Sequence, residues 1–514
     1  MYRTSASRLK FLKGRLGERL ASSSVVAKKS SIFGTFTGSI PPLDTPLPGV
    51  NILPPLPDYV EPGKTKITTL PNGVKIASES SMNPAASIGL FVDSGSVYET
   101  PISSGASQLL ERMAFKTTTN RSHLRIVREV EAIGGKVTAS ASREQMGYTY
   151  DALRTYVPEM VELLIDCVRN PAFLDWELIE ELRRVKGGLS EVNKDPQGLL
   201  LEAIHSTGYT GALANPLRAS ESAIKGFNSK ILDEFIAENY TAGRMVLAAS
   251  GVEHDELLSI AKPLLSDLPT VPRSVEPKSQ YVGGEFRCQA DSPTAHVALA
   301  FEAPGGWYKE KDAMTSTVLQ IIMGGGSSFS SGGPRKGMQS RLYARVFNEF
   351  PEIQSFSSFN SIYNKTGLFG ILAATDSKFV SKAIDLAARE LLDVATPGKV
   401  SQKELDHAKK AAKSAVLMNL ESRTVASEDI GRQILTFGER KESVFGVAGR
   451  GMITTVTLPR KPVQELLKAV DDVTLKDISS IAQKIVSSPL TMASWGNVVN
   501  VPSYETVSNK FHVK

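Results

Sequence analysis

Three short apolar segments of this chain occur twice, in the same order, and this repeat limits the fold more than any other feature. AASIGLFV (85–92) is matched by TAHVALAF (294–301), 209 residues later, and each is followed by a loop and a helical stretch reaching Met113 or Met323. MGYTYDAL (146–153) is matched by TGLFGILA (366–373) at an offset of 220, and MVLAASG (245–251) by TMASWG (491–496) at 245. Helical patterns dominate between the second and third segments of each copy, over 177–205 and 401–436. The pattern predicts an α+β protein of two homologous halves of roughly 200 residues. Each half is expected to be a mainly antiparallel sheet covered by helices on one side. The offset grows at two places. One is the glycine- and serine-rich run 324–337; the other is 442–461, where glycine and β-branched residues interrupt a helical pattern and which we read as a probable insertion. Asn72-Gly73, between ITTL and VKIA, predicts a hairpin at the start of the first half.

Charge sets the organisation at the N-terminus. The 514 residues carry a net +5, yet residues 1–40 hold eight basic residues and a single acid, Glu18. The rest of the chain is therefore slightly acidic, which gives no reason to expect a nucleic-acid partner. Leu9, Leu12, Leu16 and Leu20 recur at helical spacing among those cations. Arg-rich, Ser-rich, acid-poor and amphipathic is the composition of a transit peptide, so 1–40 is expected to be a mitochondrial leader. Residues 41–63 hold eight of the 28 prolines and read as an extended linker. The folded halves are then 64–275 and 276–514. No apolar run approaches the length of a membrane span, and two cysteines, Cys167 and Cys288, cannot build a disulfide framework.

Few constellations could carry chemistry. The six histidines are too far apart in sequence for one helix to present two of them to a metal. The run 323–338, MGGGSSFSSGGPRKGM, is not a phosphate loop, because Lys336 is followed by Gly337 rather than Ser or Thr. It fails the dinucleotide fingerprint too, with Phe329 at the third glycine position. What remains is a long glycine-rich loop between two helical stretches, and long structureless loops in compact domains are usually functional or disordered. GASQLLERMAFK (105–116) places Gln108, Glu111 and Arg112 on the helix after the first strand.

At that helix the sequence resembles the pitrilysin-type family of zinc peptidases and their inactive relatives. The family motif, His-x-x-Glu-His, falls on Gln108, Leu109, Leu110, Glu111 and Arg112. Only the glutamate, the family's general base, is kept. The distal glutamate that completes the metal site falls near Gly188, with Glu191 one turn away. Arginine is always cationic and has no lone pair to give, so no catalytic residue and no metal ligand is expected in this chain. Further segments (NPAFLDWE, LLEAIHSTGY, GGGSSFSSGGPRKGMQSRLY, VLMNLESR, EDIGRQIL) resemble the two-subunit presequence-processing members of the family. That resemblance implies a non-catalytic, substrate-recognising subunit paired with a zinc-bearing β-subunit, zinc being the partner's cofactor. It implies an acidic cavity that takes basic presequences in extended form, gripped by Gly324, Gly325, Gly326, Ser327, Ser328, Phe329, Ser330, Ser331, Gly332, Gly333 and Gly337. It also implies a place among the subunits of the cytochrome bc1 complex, on the matrix face of the inner membrane. The alternative is a purely structural core protein of that complex.

Overall fold

The computed structural model describes residues 65–191, 195–271, 277–324, 340–437, 454–456 and 463–511. The leader 1–40, the linker 41–63, the boundary near 275, and the insertion 442–461 apart from Thr454–Val456 lie outside them.

In the first half the chain runs through strands β1 (Lys66–Thr69), β2 (Lys75–Glu79) and β3 (Ala85–Val92), then helices α1 (Ala106–Met113) and α2 (His123–Ala132). Strands β4 (Lys136–Ala141) and β5 (Met146–Leu153) follow, then α3 (Val157–Arg169), α4 (Asp175–Glu191), α5 (Pro196–Gly208), α6 (Ser229–Asn239), β6 (Met245–Ser250) and α7 (His254–Leu265). The second half has β7 (Gly284–Gln289), β8 (Thr294–Pro304), α8 (Glu310–Met323), β9 (Ile353–Ile362), β10 (Thr366–Asp376) and α9 (Val380–Ala395). It continues with α10 (Gln402–Glu421), α11 (Arg423–Phe437), β11 (Thr454–Val456), α12 (Leu475–Val486) and β12 (Thr491–Gly496). The hairpin at Asn72-Gly73 forms, with β1 and β2 antiparallel and Gly73 at φ +100°.

The repeat is visible in the strand order. One sheet runs β11-β1-β2-β6-β3-β5-β4; the other, read from its opposite edge, runs β7-β12-β8-β10-β9. The pairings agree step by step: β2–β6 and β7–β12 are parallel, and the other matched pairs are antiparallel. Register agrees as well. Ser87 faces Ser250 as His296 faces Trp495, which reproduces the sequence offsets 209 and 245. The middle match differs. Ser87 pairs with Asp151 and His296 with Ala374, so β5 and β10 correspond three residues further along than the sequence match placed them. An odd slip exchanges the two faces of a strand, and pairing with β3 and β8 fixes the faces here.

Each half buries one sheet face under its own helices. Ile88, Leu90, Tyr148 and Tyr150 meet Leu109, Ile126, Met160 and Leu257; Val297, Leu299, Phe369 and Ile371 meet Leu319, Ile384 and Ile481. The second face of each sheet is covered by a single helix from the other half. Helix α11 lays Ile430 and Leu435 over Ala77, Phe91, Val246 and Ala248. Helix α5 lays Leu200, Ala203 and Ile204 over Ala298, Ala300, Leu372 and Ala493. Contact at the α11 crossing is close enough to require glycine: a Cβ at Gly431 would stand 2.1 Å from Phe91 Cδ2. One-sided cover therefore holds within a half, and the exchange of α5 and α11 makes it two-sided. This is why β3 and β8 read as almost unbroken apolar runs rather than alternating ones.

Candidate functional site

Helix α1 is fixed from below and from its start. Leu109, Leu110 and Met113 are buried in the first core. The Glu99 carboxylate accepts bonds from Gly105 N (2.7 Å) and Ser107 N (2.8 Å), placing a negative charge at the helix N-terminus. Burial pushes the Glu99 carboxyl up, opposed by those two backbone bonds.

With the apolar side held, Gln108, Glu111 and Arg112 share the other face. Gln108 Oε1 already accepts from Ala219 N at 2.8 Å. Glu111 is half-buried and accepts from the backbone of Ala141, the last residue of edge strand β4. Its carboxyl is raised by burial, with the neighbouring Arg112 cation and the Ala141 bond pulling the other way. Arg112 is exposed. Helix α4 packs beside α1 and carries Gly188, where an added Cβ would meet open space. Glu191 ends α4, and its side chain lies outside the described residues.

This set does not fit a zinc ion. It offers one engaged amide oxygen, one engaged carboxylate, a permanent cation and a residue with no side chain, whereas zinc takes three or four N, S or O donors. Among the described residues, no group of three or more His, Cys, Asp or Glu is placed to hold a metal.

The second candidate region lies at the equivalent place in the other half, after α8. Gly324 caps α8 at φ +117°, and a Cβ there would come within 2.6 Å of Ser340 Oγ. The glycine-rich loop thus leaves and re-enters the fold at one point. Gly324 is described; Gly325, Gly326, Ser327, Ser328, Phe329, Ser330, Ser331, Gly332, Gly333 and Gly337 lie outside the described residues. Gly324 O accepts from Ser358 N (3.1 Å) and Gln320 O from Ser358 Oγ (3.0 Å), which ties the neck to edge strand β9. On the returning side Arg341 is fully buried and bonds to Glu390, Glu404 and the Lys399 carbonyl. Sequence spacing gave no sign of that cluster, whose members are 49 and 63 residues apart along the chain.

Comparison with known proteins agrees with this arrangement. The family model described as insulinase (peptidase family M16) matches residues 75–221, and that described as peptidase M16 inactive domain matches 226–412. A mitochondrial-processing peptidase subunit alpha of Solanum tuberosum is 61% identical over the full length of both chains. The chain belongs to peptidase family M16. Among other M16 relatives, the human mitochondrial-processing peptidase subunit alpha is 32% identical over 92% of this chain and 90% of its own. The human cytochrome b-c1 complex subunit 2 is 31% identical over 86% of this chain and 92% of its own. The match labelled inactive covers most of the M16 half that bears the loop, while the half with the altered motif matches the general peptidase model.

Proposed function

We propose that this chain is the non-catalytic, substrate-recognising subunit of a mitochondrial processing peptidase, and that it serves also as a core subunit of the cytochrome bc1 complex. The observation that carries the reading is the zinc helix itself. Helix α1 forms and packs on the first core, while the positions that the family motif gives to ligands hold Gln108, Arg112 and, on α4, Gly188. Loss of chemistry with retention of the framework suits a subunit that presents substrate to another. Full-length likeness to alpha subunits of that name supports the assignment, and likeness to a bc1 complex subunit supports the second role.

In this reading the zinc ion belongs to a β-subunit partner, and the complex works on the matrix face of the inner membrane. Its substrates are the basic presequences of imported precursors. A slightly acidic body steers such cations towards it, and the glycine-rich loop is the segment proposed to grip them. The test is to delete 325–337, reconstitute the chain with its zinc-bearing partner, and measure presequence binding. Weaker binding with the partner's zinc unchanged is expected. Unchanged binding sinks the recognition role and leaves the structural core protein as the reading.

A further inference from the structure

Away from helix α1, the first half contains a cavity of about 330 Å³ that no role described above uses. It is lined by residues at the start of α2, the end of α3 and the last turn of α7. Its wall is built around Asp166, which is 6% exposed and accepts four bonds, two to each oxygen. One oxygen takes Asn120 Nδ2 (2.6 Å) and Asn170 Nδ2 (2.9 Å); the other takes Thr118 Oγ1 (2.9 Å) and Arg121 Nη1 (2.8 Å). Burial works to raise the Asp166 carboxyl, yet those four bonds hold it below the usual range. The backbone behind is pinned as well, Thr119 N donating to Asn170 O and Ala172 N to Thr117 O, each at 2.9 Å. Phe115 leads into the first of these stretches at φ +58°, and Phe173 leads out of the second at φ +39°. Bulky residues seldom occupy that region, and such strain persists only where the surroundings fix it.

Most of the charge at this wall is answered internally. Arg121 reaches Glu129, Glu162 and Asp166 at 2.5–3.0 Å, and Arg169 pairs with Asp267 at 2.9 Å. Two lining groups of opposite sign keep open valences among the described residues. Arg125 spends Nε on Glu129 (2.6 Å), which leaves both terminal nitrogens; Glu162 spends Oε1 on Arg121 (2.5 Å), which leaves Oε2. They stand on different helices, α2 and α3, and both are more than half exposed. The side-chain oxygens of Asn120 and Asn170 are open too, because Asp166 takes the amide nitrogens. Ile165 and Leu264 supply the apolar lining. An anion alone would satisfy Arg125 and face Glu162 unpaired, and a cation alone would do the reverse. A molecule carrying both charges and an apolar remainder satisfies the whole set, with charge-assisted bonds at each end. The volume lies at the small end of ligand pockets.

We propose that this cavity binds an aliphatic α-amino acid as its zwitterion, with the carboxylate on Arg125 and the ammonium on Glu162. The inference does not depend on the recognition role. It is tested by titrating the full chain, isotope-labelled at its isoleucine and leucine methyl groups, with L-leucine and following Ile165 and Leu264 by NMR. Saturable shifts at both residues are expected. L-Leucinamide, which lacks the carboxylate, and N-acetyl-L-leucine, which lacks the ammonium, should each bind about tenfold more weakly. Arg125→Gln and Glu162→Gln should each weaken L-leucine about fivefold. Both sites are exposed and the second substitution keeps an oxygen for Arg121, so the remaining methyl signals should stay in place. Absence of a saturable shift at Ile165 and Leu264 overturns the proposal. So does leucinamide binding as tightly as leucine, which makes this a cation site, or N-acetyl-leucine doing so, which makes it an anion site. Binding that neither substitution weakens also overturns it, since the amino acid then sits elsewhere.

Discussion

Helices α1 and α8 occupy the same place in the two halves and have been put to different use. Their buried positions coincide at the repeat offset: Leu109, Leu110 and Met113 correspond to Val318, Leu319 and Ile322. Elsewhere on the helix, Gln108, Glu111 and Arg112 of the first copy correspond to Thr317, Gln320 and Ile321 of the second. The first copy presents a glutamine, a glutamate and an arginine there, which make no donor set for a metal. In the second, Ile321 packs against the core and a glycine ends the helix, so the two copies share three buried positions and differ in what the rest of the helix does.

The comparison is sharpened most by equivalent core positions. Leu90 and Leu299 are both essentially unexposed and lie 209 residues apart. Leu90→Ala and Leu299→Ala should each cost about 2–5 kcal/mol. Urea unfolding with hydrogen exchange should show protection lost first in the mutated half. A variant that loosens both sheets equally would break the picture of two separate cores.

A smaller effect is expected at the α11 crossing. Gly431→Ala drives a methyl into the Phe91 ring and should destabilise by about 1–3 kcal/mol. Phe91→Leu in the same chain should recover part of it, read as the shift in urea midpoint.

The smallest effect separates the two crossings by pH. Helix α5 carries His205, whose Nδ1–H donates to Leu201 O (2.6 Å), leaving Nε2 to accept from Tyr363 OH (2.5 Å) in the other half. Burial, helped by the Arg143 cation, pulls its pKa down to about 3 from the ordinary 6.5. The native state stays neutral while the unfolded chain takes up a proton near pH 6.5. Stability at this crossing is thus complete above that pH and is lost as pH falls, by at most about 1.4 kcal/mol per unit. At the α11 crossing the contacts Ser87–Ser427 and Gln145–Thr436 do not titrate, and the Arg423–Asp151 ion pair (3.7 Å) involves no histidine. Between pH 7 and 5.5, amide exchange should quicken in α5 and not in α11, and His205→Gln should flatten the response.

Much of this was legible from residues alone. The strands β3 and β8 stand out because both faces are buried, and Met113 and Met323 do end their helices. The slip of three residues between β5 and β10 arose because similar glycine-bearing apolar runs carry no register until a neighbouring strand supplies it. The exchanged helices could not be read. Helix α5 is apolar on more than one side, and α11 is largely polar, with its contact made by a glycine. The outer face of α1 was legible as a residue set. The bonds that occupy Gln108 and Glu111 were not, since Ala219 and Ala141 reach them only through the fold.

The exchange of helices also orders events in time. A chain that emerges from its N-terminus completes β1 to β6 long before residues 423–437 exist to cover Phe91, Val246 and Ala248. Until then the first sheet is an open apolar surface, and α5 is a helix with no floor. The first half therefore waits for the second, and a chain broken between the two would leave each fragment with one naked sheet.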